Sequence, residues 1–238
     1  HNRTKYIEID DKDENKLWVI LMGGQTGNKV YQSIDGGSNW EDITSPSIEN
    51  ESLLSICHHY GTNDGLYIGT KKTVYYRNYD LGTWVPFNNS LPTSTACVFL
   101  EPYYANGKIR TASQRGIYEV DFYEDAPPIA MAAANKTSIN LASNCLTDTI
   151  QFIDHSTVRS NSATWEWTFP GGVPITSSIE NPKVVYSNPG LYDIKLVVTD
   201  NFGSDSVELI GFIEVTDIYN SPQIFEDFNS PLFPPLNW

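Results

Sequence analysis

The chain has 238 residues, enough for two modest domains, and 40% of them are hydrophobic while 18% are charged. It holds 15 Lys and Arg against 29 Asp and Glu, a formal net charge of −14. Such an acidic chain repels phosphate backbones and anionic lipids, which argues against nucleic-acid binding, and no segment approaches the roughly 20 apolar residues of a membrane helix.

Alternating aromatic and β-branched runs, separated by Gly, Asn-Gly and Pro, extend along the whole chain and predict an all-β protein. In the first half, Val30-Tyr31, Val74-Tyr75 and Ile117-Tyr118 recur at intervals of 44 and 43 residues, and Trp40 and Trp84 repeat the 44-residue step. A repeat of about 40–45 residues with four short strands is typical of propeller blades. The sequence therefore predicts a partial β-propeller of about three blades.

The predicted strands fall into three groups. The first two blades comprise Tyr6–Asp10, Lys16–Met22, Lys29–Ile34 and Trp40–Thr44, then Leu53–His59, Leu66–Thr70, Thr73–Arg77 and Thr83–Phe87. The third comprises Ala96–Pro102, Lys108–Ser113 and Gly116–Tyr123 and lacks a fourth strand. Three blades cannot close a ring, and an open set exposes sheet faces and edges. We therefore expect further blades upstream in a longer parent protein, and a fourth outer strand contributed by its N-terminal part.

The strongest short motif of the first half is Ser33-Ile34-Asp35-Gly36-Gly37-Ser38-Asn39-Trp40. Its Ser33, Asp35, Gly37 and Trp40 resemble the Asp box of BNR, sialidase-like and sortilin-like propellers. The resemblance implies that residues 1–125 are the last blades of an Asp-box propeller, in which Asp35 caps a hairpin, Gly37 takes a positive φ and Trp40 packs between blades. The alternative is a catalytic Asp35, which the rim position of the box in those families disfavours.

Several other side chains were candidates for chemistry. Asp11–Asn15 resembles the start of a calcium loop, but Lys16 and Met22 stand where such a loop needs Gly and Glu. His58 and His59 alternate across a predicted strand and cannot bind one metal together. The three cysteines, Cys57, Cys97 and Cys145, are spaced neither for a disulfide framework nor for zinc. We expect no metal and no cofactor.

A glycosidase is the enzymatic alternative. A sialidase needs an arginine cluster and a Tyr-Glu nucleophile pair, and the four arginines of the first half lack that context: Arg3, Arg77, Arg110 and Arg115. Propeller glucanases use two carboxylates from different blades, which three blades alone cannot reveal. An active site built together with upstream blades stays open as the alternative.

The second half carries a different pattern. Glu124–Ala134, with two prolines after an acidic pair, predicts an extended linker. About seven short strands follow, with turn residues every 8–12 positions, which predicts an immunoglobulin-like β-sandwich. The strand Trp165–Phe169 places two tryptophans on one face, so that one of them fills the core.

The motifs of this half resemble the PKD domain over residues 126–217. The residues that carry the resemblance are Trp165, Trp167, Gly171, Asn181, Pro182, Pro189, Gly190 and Tyr192. Phe169-Pro170-Gly171-Gly172 replaces the acidic turn of many members, which removes support for a calcium site there. Asp148-Thr149-Ile150 and Asp205-Ser206-Val207 match the Asp-Ser/Thr-aliphatic pattern of Bacteroidetes O-glycosylation, which implies glycans on Thr149 and Ser206.

The last segment, residues 218–238, reads as a linker and the start of a third unit. Ile224–Asn229 and Phe233–Trp238 resemble the first strands of a cleaved-adhesin, or choice-of-anchor J, jelly-roll module. Propeller, PKD domain and such a module together resemble large secreted Bacteroidetes proteins, the cargo of type IX secretion.

This resemblance implies a non-catalytic scaffold or spacer in an extracellular adhesin or display protein that does not itself span the membrane. The expected partners are other surface proteins, polysaccharide, or secretion and outer-membrane machinery. Two alternatives remain, namely an accessory region of a secreted propeller glycosidase or peptidase, and a protein-binding platform of the sortilin type.

Overall fold

The computed structural model describes residues 3–22, 27–89, 91, 94–141, 148–159 and 162–217. They form five β-sheets, and the one helical turn among them is the 3₁₀ turn Tyr104–Asn106. The predicted fold class is confirmed, because the first three sheets are consecutive propeller-type blades and the last two form an immunoglobulin-like sandwich. Within this described part, no helix has the length and apolar character to cross a membrane.

The first three sheets are antiparallel meanders, each built from consecutive strands. Sheet 1 contains β1 (Arg3–Ile9), β2 (Leu17–Met22), β3 (Val30–Ser33) and β4 (Glu41–Asp42), and sheet 2 contains β5 (Leu53–His59), β6 (Gly65–Thr70), β7 (Val74–Arg77) and β8 (Val85–Phe87). Sheet 3 contains β9 (Cys97–Tyr103), β10 (Lys108–Ser113) and β11 (Gly116–Asp121). We call these three sheets the three-sheet unit. Their strand order follows that of the predicted blades, and sheet 3 has three strands within the part of the chain that the structure describes.

Sheet 2 lies between the other two sheets and is buried on both faces. Successive side chains of a strand point to opposite faces, so Leu66 and Ile68 join a core shared with sheet 1, while Tyr67 joins a core shared with sheet 3. The near-continuous apolar sequence of β6 follows from this double burial, since all six positions of the strand are buried.

Two tryptophans fill the core between sheets 1 and 2. Trp18 on β2 is fully buried, and Trp84, just before β8, is 1% exposed. The indole N–H of Trp84 donates to the carbonyl oxygen of Ile43 at 2.9 Å, so its polar group is satisfied inside the core. Burial of two such large side chains stabilises the face-to-face packing of the sheets by several kcal/mol, at roughly 25 cal/mol per Å² of apolar surface.

The second half forms a sandwich of two sheets. Its strands in chain order are β12 (Ala132–Ala134), β13 (Ser138–Asn140), β14 (Thr149–Asp154), β15 (Thr164–Thr168), β16 (Gly172–Val173), β17 (Thr176–Ser177), β18 (Lys183–Tyr186), β19 (Gly190–Asp200) and β20 (Gly203–Thr216). One sheet has the order β12-β14-β18-β16 and the other β13-β20-β19-β15-β17. β13 is parallel to β20, and every other pair within these two sheets is antiparallel. We call residues 132–216 the sandwich.

The segment between the two units differs from the expected extended linker. Ala126 is 1% exposed, Ile129 forms a bridge with Thr157, and Ala132–Ala134 is already a strand of the sandwich. The two prolines predict an extended linker, whereas Pro127 packs between Gly61 and Gly203, and Ala130 packs into the sandwich core. The predicted third unit, residues 218–238, lies outside the described residues.

Candidate functional site

The motif predicted to be an Asp box forms the hairpin between β3 and β4. Ser33 Oγ donates to Asp35 Oδ1 at 2.8 Å and accepts from the Gly37 N–H at 2.9 Å. Asp35 Oδ1 also accepts from the Asn39 N–H at 2.8 Å, and Asp35 Oδ2 accepts from the Asn39 amide at 2.7 Å. Gly37 adopts a φ of +90°, a conformation that glycine reaches without steric cost.

These hydrogen bonds engage both carboxylate oxygens of Asp35. The side-chain and backbone bonds from Asn39, followed by the bond from Ser33, lower the pKa of Asp35 below its usual value. A carboxylate held ionised by its own hairpin stabilises the turn. Such a group is poorly suited to accept or donate a proton near neutral pH, because a general acid or base works best with a pKa near the working pH.

Trp40 lies over its own hairpin, and its place between blades stays a prediction. Its indole N–H donates to the carbonyl oxygen of Gly37 at 2.9 Å, and its side chain is 41% exposed. Gly37 lies so close that a Cβ there would be 3.4 Å from the Trp40 ring and 3.7 Å from Leu17. Trp40 therefore covers its own hairpin, and the tryptophans between sheets 1 and 2 are Trp18 and Trp84.

The adjacent histidines face opposite ways, as predicted. His58 stacks on Trp18 with a ring-centroid distance of 4.8 Å, whereas His59 lies 4.2 Å from the ring of Phe122 on the sheet 3 side. Burial is the main cause that lowers both histidine pKa values, to about 3 for His59. Neither ring nitrogen of His59 has a hydrogen-bond partner, so His59 is a neutral core side chain and cannot shuttle protons near pH 7.

Carboxylates gather near His58 without forming a metal site. Glu8 accepts a hydrogen bond from the His58 N–H at 2.9 Å, and Asp10 Oδ2 is 3.7 Å from His58 Nε2. Burial raises the pKa of Glu8, partly offset by that hydrogen bond. Among the residues that the structure describes, no three His, Cys, Asp or Glu side chains are grouped closely enough to hold a metal ion.

The arginines of the first half are spread over three sheets. Arg3 belongs to β1 and Arg77 to β7, while Arg110 on β10 pairs with Glu119 at 2.6 Å. Cys57 and Cys97 are free and buried, and burial raises the pKa of both thiols. Neither thiol is therefore suited to nucleophilic chemistry. Cys145 lies outside the described residues.

The tryptophans of the PKD-like motif build the sandwich core. Trp167 is fully buried, stacks on Phe169 at 5.6 Å and donates its indole N–H to the carbonyl oxygen of Glu180 at 3.2 Å. Trp165 packs against the same core on the same face, and its N–H donates to Asp154 Oδ2 at 2.9 Å. The indole N–H groups of both tryptophans are therefore satisfied within the sandwich.

The remaining residues of the PKD-like motif shape the turns of the sandwich. Gly171 has a φ of +76°, and a Cβ there would be 2.3 Å from the ring of Tyr192. The Tyr192 hydroxyl donates to the carbonyl oxygen of Asn188 at 2.8 Å, which clamps the turn that contains Pro189 and Gly190.

The Asn-Pro pair of the motif holds two strand ends together. Asn181 Oδ1 accepts from the Asp154 N–H at 2.8 Å, and the carbonyl oxygen of Pro182 accepts from the Phe152 N–H at 2.9 Å. Of the two residues predicted to carry glycans, Thr149 is half-buried on β14 and Ser206 is exposed on β20.

The outer faces of sheets 1 and 3 carry exposed apolar side chains. Ile7 and Ile9 are 55% and 53% exposed, and they share a face with Val19 and Leu17, their register partners on β2. The outer face of sheet 3 has a cleft of about 400 Å³, lined by Phe99, Glu101, Arg110, Thr111, Ala112, Ile117 and Glu119. A smaller cleft of about 190 Å³ lies beside the β3–β4 hairpin.

The fold and these motifs define an all-β protein in which a PKD-type sandwich follows three propeller-type sheets. Residues 125–211 match the family model of the PKD domain, which confirms the prediction of a PKD module in the second half. The chain is similar to the PKD1 domain of Vibrio anguillarum Epp, with 21% identity over 39% of this chain and 99% of that chain and a TM-score of 0.31.

Two longer proteins are similar over most of the chain. The extracellular domain of a putative one-component system from B. thetaiotaomicron shows 14% identity over 90% of this chain and 31% of that chain, with a TM-score of 0.38. An ancestral GH74 enzyme shows 12% identity over 86% of this chain and 25% of that chain, with a TM-score of 0.38. The chain thus spans less than a third of either protein. No curated protein sequence matches it.

Proposed function

We propose that the chain is a non-catalytic extracellular scaffold, part of a larger secreted cell-surface adhesin or display protein. Residues 1–125 are the last blades of an Asp-box propeller, 126–217 are the PKD spacer, and 218–238 lead into an adhesin-like module. The observation that carries the proposal is the PKD match at residues 125–211, combined with motif side chains that all serve the core and turns.

The outer sheet faces support the assignment to a larger propeller. Ile7 and Ile9 lie on a face of sheet 1 patterned like the buried faces between sheets 1, 2 and 3. Exposed apolar sheet faces and unpaired edges are a liability for a soluble protein. A further blade covering sheet 1, and an added outer strand beside β11, would remove both.

The proposed partners are other surface proteins, polysaccharide, or secretion and outer-membrane machinery of a type IX-like pathway. Polar side chains that line the clefts of sheets 1 and 3, among them Gln32 and Glu101, offer hydrogen bonds beside apolar surface from Ile34, Phe99 and Ile117. Such a mixture suits a polysaccharide or an extended peptide. O-linked glycans on Thr149 and Ser206 are part of the proposal, and intact-mass analysis of natively secreted protein tests them.

The experiment that tests the extracellular assignment is protease treatment of intact cells that produce the full-length protein. We expect peptides from this chain to be released from intact cells and identified by mass spectrometry. An endogenous cytosolic protein that stays uncleaved is the control for cell integrity. Peptides that appear only after lysis would overturn the proposal.

The second candidate is an accessory region of a secreted propeller glycosidase or peptidase, and sheet 3 provides the observation that favours it. Its open cleft presents Glu101 and Glu119 beside Phe99, and a carboxylate beside an aromatic ring is a common feature of sugar-cleaving sites. The active site of this candidate lies mostly in upstream blades, to which the sheet 3 cleft would add Glu101. Release of reducing sugar by the full-length protein, at a rate that Glu101→Gln lowers, would support this candidate against the first.

A further inference from the structure

We infer that Asp205 and Arg159 lock the sandwich onto the three-sheet unit, so that the two units form one rigid arm with a fixed relative orientation. Each of these side chains lies in the sandwich and contacts residues of the three-sheet unit. The inference goes beyond the proposed scaffold function, because it concerns the mechanical coupling of the units and holds whatever the protein binds.

Asp205 on β20 is the first contact. Its Oδ1 accepts from Lys12 Nζ and from the Tyr60 hydroxyl, both at 2.8 Å, and its Oδ2 accepts from the Ala130 N–H at 2.9 Å. Lys12 belongs to the β1–β2 turn of sheet 1, Tyr60 follows β5 of sheet 2, and Ala130 belongs to the connecting segment. One carboxylate therefore ties two sheets and the connection to the sandwich.

The burial of Asp205 makes the loss of these contacts costly. Its side chain is 12% exposed, so a loss of partners would leave a mostly buried charge without compensation. Burial raises the pKa of Asp205, but hydrogen bonds from Lys12, Ala130 and Tyr60 outweigh it and lower the pKa overall. Lys12 Nζ also donates to the Ser206 carbonyl oxygen at 3.1 Å and lies 5.2 Å from the Tyr60 ring centroid.

Arg159, after β14, is the second contact. Its guanidinium carbon lies 4.1 Å from the ring centroid of Phe202 in the sandwich and 5.8 Å from that of Phe122, which follows β11. Its Nη2 donates to Asp125 Oδ1 at 3.1 Å. A Cβ at Gly107 of sheet 3 would be 2.2 Å from the guanidinium, so the planar group packs directly on that backbone.

The connecting segment fills the space between the two contacts. Pro127 lies between the units, because a Cβ at Gly61 would be 2.6 Å from its ring and a Cβ at Gly203 would be 3.1 Å from it. Earlier in the segment, the Glu124 carboxylate accepts from the Asn78 amide at 3.0 Å and from the Tyr76 hydroxyl at 2.5 Å. Rotation of the sandwich relative to the three-sheet unit would break the contacts of Asp205 and Arg159, which lie on either side of the packed segment around Pro127.

The inference is tested by pulsed electron paramagnetic resonance on the full 238-residue chain. Spin labels are placed on Lys71→Cys in the three-sheet unit and Ser178→Cys in the sandwich, both exposed positions, in a Cys145→Ser background. Cys57 and Cys97 are buried and should not react. We expect one narrow distance distribution in this background.

Variants at the contacts between the two units provide the comparison. Asp205→Asn combined with Arg159→Ala should replace the narrow distribution with a broad one. Lys12→Met changes a half-exposed side chain and should broaden the distribution less; circular dichroism checks that both variants are folded. Arg110→Ala removes a salt bridge of the same kind within sheet 3 and should leave the distribution narrow. A broad distribution in the labelled background, or an unchanged width in Lys12→Met and in the folded double variant, would overturn the inference.

Discussion

Replacement of His59 by phenylalanine should make the three-sheet unit markedly less sensitive to mild acid. His59 is fully buried among Phe122, Tyr67 and Tyr104, and neither ring nitrogen has a hydrogen-bond partner. Burial, the main cause, and the nearby His58 and Arg159 lower the pKa of His59 to about 3. In the unfolded chain a histidine titrates near 6.5.

The sign of the effect follows from these two pKa values. Between pH 6.5 and about 3 the unfolded state binds a proton at His59 that the folded state does not bind, so the free energy of unfolding falls as the pH falls. At pH 5 the unfolded histidine is almost fully protonated, which costs about 2 kcal/mol relative to pH 7.5. Any folded-state pKa below about 4 gives nearly the same loss.

Urea unfolding at pH 7.5 and pH 5.0, followed by tryptophan fluorescence and far-UV circular dichroism, measures this loss. The titrations of the carboxylates and of His58 are common to wild type and variant, so they largely cancel in the difference between the two proteins. We expect His59→Phe to lose about 2 kcal/mol less than wild type between the two pH values. His59→Leu serves as a second variant in case the larger ring overpacks the site.

His155→Gln is the control, because the side chain of His155 is exposed, and it should keep the wild-type dependence. Equal pH dependence in wild type, His59→Phe and His59→Leu would refute the reasoning. It would mean that His59 gains a proton in the folded state near its ordinary pKa, and hence that water or an acidic partner reaches the ring.

Three further predictions concern the motif residues. Trp167→Ala should destabilise the sandwich by about 3–5 kcal/mol, measured by urea unfolding, because it empties the centre of the core; a loss below about 1 kcal/mol would contradict that placement. Gly171→Ala should lower the thermal stability clearly more than Gly211→Ala. Both glycines have a positive φ, but a Cβ meets the Tyr192 ring at position 171 and nothing within 4 Å at position 211. Equal shifts of the melting temperature would argue against the contact. Asp35→Ala should speed amide hydrogen exchange at Asn39 in the β3–β4 hairpin, because the Asn39 N–H would lose its acceptor. The core amides of sheet 2 should stay protected. Unchanged exchange at Asn39 would show that Asp35 does not hold the turn.

The positions of the strands along both units could be predicted because they depend on local patterns. The alternation of Leu66, Tyr67 and Ile68 reports the two-residue period of a strand, and the recurrence of Val30, Val74 and Ile117 reports a repeated unit of short strands. The opposite directions of His58 and His59 follow from the same period of two. The PKD-type motif was recognisable because Trp167 and Gly171 serve the steric needs of one core and one turn.

The structure of the connection depends on contacts between distant residues, which no local pattern reports. The segment around Pro127 reads as a tether by composition, yet Gly61 and Gly203 lack the side chains that would exclude its ring.

The sequence did not predict the residues that connect the two units, for the same reason. Asp205 meets Lys12 and Tyr60 across 193 and 145 positions of sequence. The one local signal near Asp205 was the triplet Asp205-Ser206-Val207, which pointed to a modification of Ser206 instead.

The central claim, a surface scaffold that binds without catalysis, is tested most directly by incubating the full-length parent protein with a panel of polysaccharides and surface proteins. Binding and the chain length of the recovered polymer are measured in the same samples. The account predicts retention of at least one polymer or protein on the panel, with every polymer and protein recovered at its original length. Shortened polymer with released reducing ends, or cleaved protein, would contradict it and establish the enzymatic alternative.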